Sequence, residues 1–373
     1  MKRDRSVDIA KALGIILMVM GHAGMPHSSI IFRFHMALFF ILSGLCFSDK
    51  YLTEGKAVIG FAWRRTKGLY IPFVLFNGVT LLLRGLFIKL NIYTNNESFL
   101  QDSPFGGNAY GIFEVLPWSE MKNYLINVFK FAGESQLGGA TWFLRVMFGV
   151  SVMWCAINFL LKSVAKFDDR MRMYINLVIS GFLMIVSWDW MKLGRHLILQ
   201  FETVASAYIM FCAGYYLKNF YRKLEILQNM IVAALSIIIL FYCDSVCSSN
   251  GWDSNVNIFA NPVMYIVSSF AGFFAVFSIA QIASSLKYAF VLEIIGKHTL
   301  SVLMFHFLSF KIVNLIQCIR YGHPFYRIAS FPVYNSGGIW WIVYTIVGVV
   351  LPVGLAVFYD KLKKVLSWNM NRT

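Results

Sequence analysis

Lys11 and His22 interrupt the apolar run between Val7 and Ala23. Eleven residues of α-helix make roughly three full turns, so both side chains fall on one face, about 16 Å apart along the axis. Ionisable groups inside a run long enough to enter a membrane are costly, and by default they mark function. Lysine offers a positive charge, whereas an imidazole titrates near neutral pH and can take or give a proton. A cation toward one end and a proton acceptor toward the other suit chemistry that reaches through a bilayer. Asp8, three residues before Lys11, is placed to pair with it along the helix surface.

Other chemistry-bearing residues recur near span ends. His35 lies about one and a half turns into the next apolar run. The connection through Pro26 is short, so the first two spans should be antiparallel neighbours, with His22 and His35 at one level. Arg33, Arg84, Arg145, Glu202 and His306 fall in the outer halves of their spans, where charges face the bundle or a water-filled cavity. Arg145 and Glu202 are candidates to pair with each other. No metal-ligand spacing appears among the six cysteines. Cys243 and Cys247 could form a disulfide in an oxidising compartment, but small apolar fillers are the favoured reading. No Gly-x-Ser-x-Gly elbow, phosphate loop or His-Glu-x-x-His is present.

The elements that must carry these residues are membrane helices. Of 373 residues, 58% are hydrophobic and only 14% charged, against about 25% charged in a soluble domain. Mean hydropathy is +0.64. The sequence predicts an all-α polytopic bundle of about ten transmembrane helices, near 7–25, 30–48, 69–90, 140–161, 174–190, 197–217, 227–243, 259–285, 299–318 and 338–359. One membrane domain, 1–373, with an outer loop at about 91–139, is the simplest organisation. The first run should be an uncleaved span, because Asp8 and Lys11 break it and no small-x-small site follows. The net charge of +15 falls mostly in short loops, where it sets topology and gives nucleic-acid binding no support. Arg64, Arg65 and Lys67 in the 49–68 loop, Lys162 and Arg170 near 162–173, and Lys361 and Lys363 near the C-terminus all fall on one side of a ten-span chain. That side should be the cytoplasm, with both termini inside.

Five segments in order give the chain a resemblance. They are Asp8 followed by Lys11 and His22 with ten residues between the last two; Phe34-His-Met-Ala-Leu-Phe-Phe-Ile-Leu-Ser-Gly44; Trp142-Phe-Leu; Phe211-Cys-Ala-Gly-Tyr; and Ile295-Gly-Lys-His-Thr-Leu-Ser-Val-Leu-Met-Phe-His306. Together they resemble the acyltransferase-3 family of integral membrane acyltransferases, and most of all its fucose 4-O-acetylase-like branch. The sequence departs from that family in having Lys11 where arginine is commoner, and Gly68 at the last position of the basic run, where Lys67 could substitute.

The resemblance implies an inner-membrane O-acyltransferase that moves acetyl from cytoplasmic acetyl-CoA to a hydroxyl of a surface or lipid-linked carbohydrate, without a metal. Acyl transfer to a hydroxyl needs a base, and His22 is the first candidate, with His35 as a relay or as the base itself. Lys11, with Asp8, and the cluster Arg64, Arg65 and Lys67 would hold the anionic donor. Trp142, Arg145, Glu202 and His306 would line the acceptor side. Two rivals come from other classes. A transporter or flippase for a polar lipid-linked substrate also suits buried charges, but no internal repeat or paired broken helices appear. A non-catalytic assembly partner would not need Lys11 and His22 in phase.

Overall fold

A computed structural model describes residues 4–96, 99, 116–193, 200–221, 230–250, 254–255, 258–259 and 261–370. The Asp102–Asn108 stretch of the outer loop and the basic pair Arg222 and Lys223 lie outside the described residues. The helices are α1 (Arg5–His22), α2 (Ser29–Phe32), α3 (His35–Leu45), α4 (Gly55–Arg65), α5 (Ile71–Leu82), α6 (Arg84–Lys89), α7 (Trp118–Phe129) and α8 (Trp142–Phe159). They continue with α9 (Asp169–Lys192), α10 (Phe201–Tyr221), α11 (Met230–Ser249), α12 (Pro262–Ser284), α13 (Ala289–Lys297), α14 (Thr299–Tyr321) and α15 (Trp340–Met370). Among the described residues the extended structure is a two-residue pairing of β1 (Ser254–Asn255) with β2 (Ile258–Phe259). The fold is all-helical.

Among the described residues six helical stretches are long and apolar enough to cross a membrane: Gly139–Val164, Asp169–Lys192, Met230–Ser249, Pro262–Ser284, Thr299–Tyr321 and Trp340–Val365. The other four predicted windows hold helices that fall short of this measure. α1 carries Arg5, Asp8 and Lys11 within its 18 residues. The second window is split into α2 and α3 at Arg33 and Phe34, and the third into α5 and α6 at Leu83. α10 carries Glu202 and Lys218, and its window begins outside the described residues. Length and composition thus account for six of the expected ten spans. Val178 on α9, Ile238 on α11 and Val350 on α15 are largely exposed, as suits surfaces solvated by lipid tails.

The chain divides into two compact units, each woven from separate stretches. The first holds residues 1–14, 29–75 and 142–289. In it α3 and α10 cross with almost no side chain between them. A Cβ on Gly44 would lie 2.0 Å from the Phe211 carbonyl oxygen, and one on Gly214 would lie 1.9 Å from that of Ile41. Between membrane helices, association relies on close packing, and small residues permit it. The Ser-Gly44 and Cys-Ala-Gly214 segments of the sequence are therefore two faces of one crossing. A buried ladder ties α8, α9 and α10. Asn176 Nδ2 donates to Asn158 Oδ1 (2.9 Å), and Tyr208 Oη donates to Asn176 Oδ1 (2.6 Å). Arg33 Nε donates to Asp244 Oδ1 at 2.6 Å, so the arginine before α3 is paired with α11. All six cysteines are free, and Cys243 and Cys247 are buried on α11.

The second unit holds residues 15–28, 76–141 and 290–373. Its distinctive element is the 322–339 connection, which is folded into the helices rather than left outside them. Lys311, Asn314 and Gln317 form a buried stripe at three-residue spacing on α14. Lys311 Nζ donates to the Ala329 and Ser330 carbonyls, both at 2.8 Å. Asn314 Nδ2 donates to Ile328 O (2.8 Å) and Gln317 Nε2 to Asn335 O (2.8 Å). Tyr344 Oη, from α15, donates to Asn314 Oδ1 at 2.5 Å. Backbone outside a helix is tolerated at membrane depth only where protein groups satisfy it; here one polar stripe does so.

Candidate active site

His22 is the last residue of α1. The chain turns at once through Gly24, whose φ of +77° belongs to the left-handed region. A Cβ on Gly24 would stand 2.6 Å from Ser336, so the end of α1 is pressed against the inserted 322–339 segment. His306, fully buried on α14, stands opposite His22.

His22 Nδ1 and His306 Nε2 are 3.0 Å apart, with ring centroids 5.2 Å apart and planes 10° from parallel, so the two imidazoles meet edge to edge. Phe307 packs against both, at 4.9 Å from His22 and 4.0 Å from His306. His306 Nδ1 lies 2.9 Å from Val302 O and 3.1 Å from Leu303 O. A carbonyl oxygen only accepts, so neutral His306 carries its proton on Nδ1 and a lone pair on Nε2. His22 Nδ1–H then donates to that lone pair, and the basic nitrogen of His22 becomes Nε2. The contact thus selects the tautomer of the more accessible imidazole, since His22 is only half-buried.

The ring of Phe307 also meets Phe331, at 4.6 Å and 52°. Phe331 lies in the segment held by Lys311. A Cβ on Gly139 would be in ordinary contact, 3.7 Å, with both phenyl rings. Gly139 belongs to the short turn before α8, which Asn77 anchors from α5. Asn77 Nδ2 donates to Thr141 Oγ1 (3.1 Å), and Asn77 Oδ1 accepts from Ser135 N (2.8 Å). Two inserted segments, 135–141 and 322–339, therefore converge on the aromatic wall behind the histidine pair.

The remaining sequence candidates occupy the first unit. His35 is buried, and its Nδ1 lies 3.0 Å from Ile31 O. Asp8 is buried in the first turn of α1, where its charge meets the positive end of the helix dipole. Lys11 is half-buried, one turn further on. Arg65 is half-buried with its guanidinium 5.0 Å from the Phe61 ring, and burial holds it below the ordinary arginine value. Arg64 and Lys67 are exposed, stacked at 5.5 Å on Tyr51 and 5.2 Å on Trp63. Arg145 and Glu202 are buried on α8 and α10, and Trp142 is half-buried at the start of α8. Among the described residues no group of His, Cys, Asp and Glu is placed to hold a metal ion.

Two features escaped the sequence reading. His306 appeared among acceptor-side residues, with no reason to join it to a histidine 284 positions away. The stripe of Lys311, Asn314 and Gln317 was legible as polar residues on one helical face, and it announces the inserted segment.

The acyltransferase-3 family model, described as an acyltransferase domain, matches residues 4–358. No curated protein and no solved structure matches the chain significantly. The match gives the transporter reading no support. With nearly the whole helical chain covered, the protein belongs to the acyltransferase-3 family and is a membrane acyltransferase.

Proposed function

We propose that the protein transfers an acetyl group from cytoplasmic acetyl-CoA to a hydroxyl of a surface or lipid-linked carbohydrate. The observation that carries this reading is the tautomer-selecting contact between His22 and His306. As the acceptor oxygen attacks the thioester carbonyl, His22 Nε2 takes its proton. The C–S bond then breaks, and the departing thiolate takes the proton that His22 Nε2 had accepted, which returns the imidazole to its neutral form. His306 holds the orientation of His22 and accepts from its Nδ1–H throughout, so we assign it to positioning the base rather than to the acceptor. His35 is the weaker candidate for base, because it is buried with Nδ1 against the Ile31 carbonyl of α2. A sugar acceptor is supported by the resemblance of the first two segments to fucose 4-O-acetylases. Mass spectrometry of surface glycans from cells with and without the gene tests the reading. Loss of one acyl increment is expected, and identical glycans would refute it.

On the donor side we assign Lys11, Asp8, Arg64, Arg65 and Lys67. Lys11→Ala should raise the apparent KM for acetyl-CoA about tenfold, as loss of a charged contact does, while Lys11→Arg keeps most activity because the cation is retained. An unchanged donor KM in Lys11→Ala would remove Lys11 from donor binding. We place the enzyme in the bacterial inner membrane with both termini and the exposed Thr53 loop in the cytoplasm, by the distribution of Lys and Arg. A cysteine at Thr53, in a chain without its native cysteines, should meet an impermeant thiol reagent only after permeabilisation.

A further inference from the structure

The second unit contains a cavity of about 260 Å³ that the histidine pair does not use. Its polar lining includes Arg84, Tyr93, Tyr124, Glu134, Ser135 and Gln136. Among the described lining residues there are one cation and one carboxylate, so they carry no excess charge. Both polar atoms of the Gln136 amide are shielded from solvent and have no hydrogen-bond partner among the described residues. Buried amides without partners are rare and costly, and each such group calls for an explanation. An amide offers two donors and an acceptor, the complement of a pair of neighbouring hydroxyls, each of which both gives and accepts. Tyr93 is buried and held protonated, its hydroxyl pushed up to about 12 by desolvation. Tyr124, half-exposed, supplies an aromatic face at the rim. The volume is below the ~300–1,000 Å³ of drug-sized sites and fits one ring rather than a chain of them.

The cavity is also tied to the proton acceptor. Ser135 and Gln136 line it, and three residues later Gly139 abuts Phe307, the ring that packs on His22 and His306. We propose that this cavity is a binding site for one uncharged sugar ring, the residue whose hydroxyl is acylated or its immediate neighbour in the glycan. The proposal rests on the reading of the enzyme as a carbohydrate acyltransferase.

Full-length protein in lipid nanodiscs is probed by saturation-transfer NMR with a neutral methyl hexoside, a neutral methyl 6-deoxyhexoside and an anionic methyl hexuronide. At least one neutral glycoside should bind, and the hexuronide at least tenfold more weakly. Gln136→Leu and Tyr124→Ala should each weaken the neutral glycoside about tenfold, whereas His22→Ala leaves its binding intact. Tyr124 lies at the rim, so its variant reports on binding even if Gln136→Leu fails to fold. No binding by either neutral glycoside, equal binding of the hexuronide, or full binding by a folded Tyr124→Ala would overturn the proposal. Glycan acylation undiminished in both variants would overturn the cavity and keep the function. Sugar binding that depends on Gln136 and Tyr124, in a protein that transfers no acyl group, would keep the cavity and overturn the function.

Discussion

His22→Ala lowers acyl transfer at least ~100-fold, the lower end of what a positioned general base supplies, while membrane insertion and abundance stay near wild type. The side chain is half-buried at the end of α1 and meets α14 through the His306 and Phe307 side chains, not through backbone, so its loss should spare the fold. The check is the acylated fraction of surface glycans measured beside the protein's abundance in the membrane. Wild-type acylation would remove His22 from the mechanism; equal loss of protein and acylation would make its role structural. His306→Ala adds a second arm. If His306 acts through His22, its loss alone costs less than that of His22, and adding it to His22→Ala costs almost nothing more, because residues working as a unit are not additive. Independent, multiplying losses would separate the two histidines.

The sequence made α1 legible because a lysine and a histidine in an apolar run have few reasons to be there other than chemistry. It made the helices legible because lipid leaves the backbone few alternatives. It did not reveal the partner of His22, since contact between residues 22 and 306 depends on how α1 and α14 meet and no local pattern encodes that. The insertion of the 322–339 segment leaves no local mark, for its Pro, Gly, Ser and Asn residues resemble turn chemistry whether the chain lies in water or among helices. Only Lys311, Asn314 and Gln317, polar groups facing inward on α14, distinguish the two cases. The span count was blurred by charge. α1 is shortened as an apolar run by Arg5, Asp8 and Lys11, two of them residues assigned to the donor.

Gly214→Ala should prevent accumulation of folded protein, although it adds a single methyl group. On α10 that methyl would sit 1.9 Å from the Ile41 carbonyl oxygen of α3 and 2.9 Å from the Ile41 Cα. A side chain in the way could rotate; a backbone carbonyl can move only with its helix. Gly44 imposes the same condition from the other side, where an added Cβ would stand 2.0 Å from Phe211 O, so both helices must be without a side chain at the crossing. Overpacking a core commonly costs about 1–3 kcal/mol and occasionally more, and a clash with backbone belongs to the upper end. The close crossing also supplies much of the association between helices that have no hydrophobic force to hold them in lipid. Gly181→Ala is the reference: that glycine lies on the exposed side of α9 with no atom within 4 Å of the new methyl, and its variant should behave as wild type. Size-exclusion chromatography of detergent-extracted protein reads the outcome. A folded, monodisperse Gly214→Ala protein at wild-type yield would show that α3 and α10 do not cross as closely as their glycines require.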